Sequence, residues 1–400
     1  MAEVKSVPQP GNYVVSTRMK TVYSVLIFLG LAAFVVAIIN DQARAWHAYL
    51  IGLFYFVSLA LGGLFFTAIQ HVTKAGWSVT VRRISEAFTS FIPVGAVAAL
   101  ILVFFGGNHL YEWFHADVVA KDHLLSHKAG YLNPTFFAVR VVLFFGIWWL
   151  LAKVLVGNSV KQDTTGDESI THKLVGVSVG AVLVFAFSYS FFSVDTLMSL
   201  DAHWFSTIFG VYAFAGLFQS TMAVMILVIL YLKGKGLLHG LVNENHVHDL
   251  GKFLFAFTVF WAYIAFSQYM LIWYANMPEE TIFYVPRSQG SWAMVSVALI
   301  LFKFIVPFFA LLPRWAKRTP SYLAVASVWI LVMQFVDIYW LVYPSYNEEH
   351  AVFSVYEVLI FAGFLGAFLL TLTRFLSRNN LVPVKDPRIQ EALHHHVVYH

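Results

Sequence analysis

Cysteine is absent from all 400 residues, which excludes disulfides, iron–sulfur ligation by this chain and a thiol nucleophile. It also removes redox chemistry as a guide to compartment. Charge is scarce: Asp, Glu, Lys and Arg make up 12% of the chain, about half the share in an ordinary soluble domain. With 60% hydrophobic residues and a mean hydropathy of +0.73, a water-facing surface is excluded. The composition specifies an all-α polytopic membrane protein, because the strict alternation of a transmembrane β-barrel is also missing. The pI near 9.0 comes from Lys and Arg beside apolar runs and calls for no nucleic-acid partner.

Histidine avoids the middle of those runs. His47, His71, His109, His172, His203 and His248 stand at run ends, whereas haem between helices takes facing mid-span histidines. No haem is expected on this chain. Neither a phosphate-cradling Gly loop nor a Ser/His/Asp triad is apparent. His239, His246, His248 and the His394-His395-His396 tail offer nitrogen ligands, but they read as mobile surface histidines and no metal site is expected. The triplet also has the form of a tag remnant, although Val397-Val398-Tyr399-His400 follows it.

Ten apolar stretches reach the roughly 20 residues that a hydrocarbon core of about 30 Å requires of a helix. They cover approximately 20–39, 47–71, 85–106, 134–156, 173–195, 203–232, 250–275, 289–313, 321–343 and 351–374. This divides the chain into an N-terminal segment 1–19, a ten-helix membrane domain 20–374 and a tail 375–400. Ala43-Arg44-Ala45 has the small-x-small form of a signal-peptidase site, but the preceding run is longer than a signal core of about 7–15 residues and reads as a retained helix. Of the 25 lysines and arginines, only Arg44, Lys121, Lys128 and Arg287 fall on one set of loops. Arg140 and Lys303 lie inside spans, and all others, from Lys5 to Arg388, flank the opposite face. The excess of Lys and Arg marks the cytoplasmic side, so both termini are expected there.

Ionisable groups inside a span are costly and mark functional positions until shown otherwise. Asp195, Asp201 and His203 crowd the turn FSVDTLMSLDAHWFSTIFG between spans five and six. Asp201 or Ser199 is placed to N-cap span six, and Trp204 reads as an interface anchor. Asp195 opposes the dipole at the end of span five, with His203 as a possible partner. Asp337 and Glu357 are expected at comparable depth on neighbouring helices, able to act as a pair. Arg140 can neutralise either these acids or the aspartates of the turn. Lys303 lies deeper; its stem can snorkel, and Pro307 frees its carbonyl from the helix. These seven, Asp195, His203, Asp201, Asp337, Glu357, Lys303 and Arg140, are the proton-path candidates, each with a structural reading (helix pairing, capping or snorkelling) beside the functional one. In span seven, Tyr263, Ser267 and Tyr274 share a face beside Gln268 and rise toward Glu279 and Glu280. That stripe is the candidate quinone or polar site, although an aromatic belt explains its tyrosines.

The stretches MSLDAHWFSTIFGVYAFAG (Met198–Gly216) and YMLIWYANMPEET (Tyr269–Thr281), on a ten-span layout, resemble the F subunits of bacterial alternative complex III. These are quinol:electron-acceptor oxidoreductase components of the polysulfide-reductase-like (NrfD-type) membrane family. The resemblance covers nearly the whole chain. It implies two four-helix bundles, spans 2–5 and 6–9, flanked by spans 1 and 10. It implies haem and iron–sulfur centres on partner subunits, a multihaem cytochrome c and an iron–sulfur protein, beside a sister NrfD-type subunit that carries the main quinol site. Quinone binding by this chain itself stays open. A faint internal echo, His47 before LIGLFYFVSLALGGLFF and His203 before STIFGVYAFAGLF, is compatible with two related halves.

The expected function is therefore an integral subunit of a respiratory quinol oxidoreductase, handling quinol or protons and anchoring redox partners, with no redox centre of its own. An ion-coupled secondary transporter using Asp337, Glu357 and Lys303 is the alternative from a different class. A purely structural assembly subunit is the third reading.

Overall fold

The computed structural model describes residues 8–396; Lys5 and the Val397–His400 sequence that bears on the histidine triplet lie outside them. Among the described residues ten helices are long and apolar enough to cross a membrane: α1 (Thr17–Asn40), α2 (Gln42–Val72), α3 (Gly76–Leu110), α4 (Pro134–Thr165), α5 (Ser169–Leu200), α6 (Phe209–Gly234), α7 (Glu244–Ala275), α8 (Gly290–Leu311), α9 (Pro320–Ser345) and α10 (Val355–Leu376). No strand occurs among the described residues. The chain is a multi-pass membrane protein, and large apolar side chains such as Phe28, Phe187 and Val325 face outward, where lipid covers them.

The helices form two rings of four. In the first, α2 packs on α3 and α5, and α4 closes the ring against both. In the second, α6 packs on α7 and α9, with α8 between these two. The rings meet where α2 and α6 cross. Gly62 makes this crossing possible: a Cβ there would stand 1.8 Å from Thr221 Oγ1. Both helices are consequently the most enclosed of the ten. The two stretches that echo each other in sequence thus lie side by side. Helices α1 and α10 pair outside the rings, with Gly30 and Gly363 back to back.

One end of the bundle, where most Lys and Arg lie, is termed the basic end; the other is the acidic end. Helix boundaries differ from the hydropathy reading where local chemistry intervenes. Helix α3 begins at Gly76 rather than 85, because a wholly buried turn carries Arg82, Arg83 and Glu86 into the protein. Helix α6 begins at Phe209 rather than 203, since residues 201–208 form turns that seat Trp204. Helix α10 begins at Val355 rather than 351, at a capping box of Ser354 and Glu357.

The C-terminal segment lies across the basic end of both rings. Asp386 pairs with Arg82 (2.5 Å), Lys385 donates to the Thr164 carbonyl (2.6 Å), and His395 meets Asp249 (2.6 Å). His246 and His248 are buried and His395 is mostly so. The expectation of mobile surface histidines is therefore corrected at these three: the C-terminal segment packs His395 on His246 and Asp249 of α7, and His248 is buried at the start of the same helix.

Candidate functional site

All four helices of the second ring send a polar side chain to one point. Lys303 sits in a π-helical stretch of α8, Leu299–Ile305, a local widening often found at functional positions. Pro307, one turn on, lacks an N–H for the Lys303 carbonyl. The Lys303 Nζ donates to Asp337 Oδ2 (2.5 Å) and to Gln334 Oε1 (2.7 Å), both on α9, and lies 4.3 Å from the Trp261 ring centre on α7. Asp337 also accepts from Trp261 Nε1 (3.2 Å) and from the Tyr212 hydroxyl on α6. Gly216 leaves room for Gln334, whose amide would meet any Cβ there at 2.8 Å. Lys303 is 0% exposed and Asp337 1%. Lys303 does not snorkel: its stem points to an acid that neutralises it inside the ring.

From this cluster a polar succession leads toward the acidic end. Tyr284 lies within electrostatic reach of Tyr212. Its hydroxyl accepts from Gln268 Nε2 (3.1 Å), and Gln268 Oε1 accepts from Ser206 (3.1 Å), which is partly exposed. Among the described residues no direct hydrogen bond joins Tyr212 to Tyr284.

The first ring holds a second buried pair. Arg140 on α4 donates to both carboxylate oxygens of Asp195 on α5 (2.7 and 3.2 Å) and to the Tyr131 carbonyl (2.8 Å). Its guanidinium lies 3.9 and 4.6 Å from the Tyr131 and Phe136 ring centres, using the planar faces that favour arginine in such a place. This explains Asp195: the charge that opposes the helix dipole is matched by Arg140, not by His203. A cavity of about 240 Å³ adjoins the pair, lined by His127, Lys128, Tyr131 and Trp204 among others. Burial pushes the Lys128 ammonium below its usual range.

The turn that crowds Asp195, Asp201 and His203 in sequence scatters them in space. His203 Nε2 pairs with Asp122 (2.8 Å). The Leu125 backbone N–H, and then His203, hold the Asp122 carboxyl below the usual range. Asp201 is partly buried and caps nothing, because α6 starts eight residues later. Ser199 donates back to the Asp195 carbonyl (2.6 Å) and is likewise no cap for α6. Trp204 is 1% exposed, stacked 4.0 Å from Phe283 with Nε1 on the Glu280 carbonyl (3.1 Å). It anchors loop to loop rather than protein to lipid.

Asp337 and Glu357 do not form a pair. Glu357 accepts from Arg44 Nε (2.8 Å), Tyr343 (2.5 Å) and the Ser354 backbone N–H (2.7 Å). It binds the α1–α2 corner to the start of α10. Nearby, burial raises the Asp41 carboxyl, but hydrogen bonds from Tyr346 and the Arg44 backbone outweigh it and hold it below the usual range.

The stripe on α7 does not assemble. Tyr263 and Tyr274 are 63% and 84% exposed; they share a helical face, but it is the face turned away from α6 and α8. Ser267 stands at its edge, Glu279 is exposed and Glu280 partly so. Only Gln268 turns inward.

Sequence reasoning missed a third cluster, at the basic end of the first ring. Glu86 meets Arg83 Nη1 (3.0 Å), Arg82 Nε (3.6 Å) and Ser159 Oγ (2.8 Å), and Arg83 Nη2 reaches Asp163 (2.8 Å). Arg83 and Glu86 are 0% exposed. In the sequence Arg82 and Arg83 are two of the basic residues that flank one face; the signal for more is Glu86 three and four residues on, the spacing of same-face helical pairs. Around it, Gln70 Oε1, His71 Nε2 and Thr80 Oγ1 are buried without a protein partner, as positions for internal water are.

Among the described residues no group of three or more His, Cys, Asp or Glu is placed to hold a metal ion. No model of a known protein family matches the chain, and a search of curated proteins returns no match.

Proposed function

We infer that the chain is a membrane subunit of a respiratory quinol:electron-acceptor oxidoreductase of the alternative complex III type, moving protons through its second ring and anchoring redox partners. The observation that carries this reading is the convergence of Lys303, Asp337, Tyr212 and Trp261 from four helices, continued by Tyr284, Gln268 and Ser206 toward the acidic end. Quinol oxidation yields two electrons and two protons. The electrons pass to haem and iron–sulfur centres on partner subunits. The protons need acceptors and a way out, and titratable groups enclosed in a helix ring serve that purpose. In this reading Asp337 holds a proton or yields it according to the position of Lys303, and Tyr212 relays it. The basic end is cytoplasmic and the membrane is the bacterial inner membrane. The residues expected to line a quinone site do not converge, so the quinol pocket is assigned to a sister subunit.

The test is isolation of the chain from its native membrane with its partners. Co-purification with a multihaem cytochrome c and an iron–sulfur protein, together with proton release that falls at least tenfold in Asp337→Asn while subunits remain assembled, supports the reading. A solitary chain, or unchanged turnover and proton stoichiometry in that variant, overturns it.

The same cluster supports a second reading. Lys303 and Asp337 meet away from both helix ends, where α8 widens into a π-helical stretch just before Pro307, and buried charges at irregular helix positions are what ion-coupled transporters use at their substrate sites. Uptake of a solute by the chain alone in proteoliposomes, abolished by Asp337→Asn, would favour that class.

A further inference from the structure

A cavity of about 590 Å³ lies between α10 and the α6–α9 side of the second ring, with α2 as its back wall. On α10 its lining runs from Val358 to Leu376, so at 1.5 Å per residue it extends roughly 27 Å. That is nearly the depth of the hydrocarbon core. It is a slot, not a chamber. Its walls are almost wholly apolar, and their polar atoms are already used: Tyr55 donates to the Leu331 carbonyl (3.0 Å) and Thr373 to that of Leu369 (2.7 Å). Water finds no partners along such walls, whereas a hydrocarbon chain gains dispersion contacts along its whole length.

The basic end of the slot differs. Tyr13, Tyr23 and Tyr231 gather there. The hydroxyls of Tyr13 and Tyr231 both point at the Met19 sulfur, at 3.8 and 3.5 Å. The two hydroxyls also share a hydrogen bond, which occupies one donor; the other has only the thioether, a weak acceptor, and stands ready for a better one. Lys235 Nζ lies 5.9 Å from the Tyr231 ring centre, and the exposed Lys20 follows Met19 in the chain. Donors with adjacent cations at a membrane boundary suit a phosphate; a neutral quinone ring would not use the cations.

We propose that this slot is a binding site for one anionic phospholipid, with acyl chain along α10 and phosphate at Tyr13, Tyr231 and Lys235. The lipid wedges between α10 and the second ring and fills the space that protein packing leaves. It is held whichever reaction the protein takes part in.

The experiment is lipid extraction and mass spectrometry of the purified full chain, with any subunits that accompany it, after prolonged detergent exchange. Wild type is expected to retain an anionic phospholipid that Leu365→Trp, which fills the slot, reduces at least threefold. The Tyr231→Phe/Lys235→Gln variant leaves the slot open and is expected to exchange anionic for zwitterionic lipid. Should Leu365→Trp fail to fold, the double variant, monodisperse on gel filtration, decides alone. The proposal is overturned by wild type that retains no phospholipid, by retention of an isoprenoid quinone in its place, or by an anionic fraction unchanged in the double variant.

Discussion

Lys303 Nζ lies 2.5 Å from Asp337 Oδ2, with both side chains closed off from solvent by four helices. Neither residue satisfies the other alone: Gln334 takes a second proton of the ammonium, and Tyr212 and Trp261 each donate to the carboxylate. A buried, hydrogen-bonded pair resists disruption because removing one partner strands the other.

Asp337→Leu alone is therefore expected to destabilise the protein by about 3–5 kcal/mol, and Lys303→Met alone by a similar amount. The Lys303→Met/Asp337→Leu double variant should recover most of that loss, since no charge is left uncompensated. Thermal unfolding of the four proteins in detergent gives the coupling directly. If proton movement depends on the pair, the double variant is stable and inactive, which separates function from folding.

Arg140→Lys is expected to behave as a loss, not as a conservative change. Lysine cannot reach both oxygens of Asp195 while stacking between Tyr131 and Phe136. A drop of about 1.5–3 kcal/mol, the worth of a hydrogen bond to a charged group, is expected in unfolding assays. The equal effect of Asp195→Asn would identify the pair as the unit.

At the basic end, Glu86→Ala leaves Arg82 and Arg83 short of one shared acid, whereas Glu86→Gln keeps an acceptor for Ser159. Glu86→Ala should be the more destabilising by several-fold in unfolding equilibrium. An equal effect would show that the hydrogen bond to Ser159 contributes nothing.

Gly30→Leu should separate α1 from α10. A Cβ at residue 30 would stand 2.5 Å from the Gly363 Cα and 3.0 Å from the Leu359 carbonyl, backbone atoms that cannot turn aside. Overpacking of this kind costs about 1–3 kcal/mol. Increased protease access to α1, with the two rings still folded, is the expected signature.

The loop at 111–133 should loosen in acid. The Asp122 carboxyl is held below its ordinary value in the folded protein, so its contribution is fully present above the unfolded value of about 3.9. That contribution is lost as pH falls through the folded value. Hydrogen exchange in this loop, corrected for intrinsic rates, should show an Asp122-dependent rise only below pH about 4. Asp122→Ala should lack that step.

Sequence by itself determined that this is a ten-helix membrane protein and which end of each helix carries the basic residues, because both follow from run length and charge, which are local. It also marked Arg140, Asp195, Lys303 and Asp337 as residues that a membrane interior does not hold without reason. Their partners were another matter. Lys303 and Asp337 are 34 residues apart and on different helices; what joins them is the rotation of α8 and α9 about their own axes. The rotation of α7 likewise turns Tyr263 and Tyr274 outward and Gln268 inward, and that of α3 hides Glu86 behind two arginines. Hydropathy is nearly uniform around α7, α8 and α9, so no apolar stripe announces which side faces a neighbour. Packing across the rings decided it, through close approaches such as Gly62 to Thr221 and Gly216 to Gln334 that depend on both helices at once.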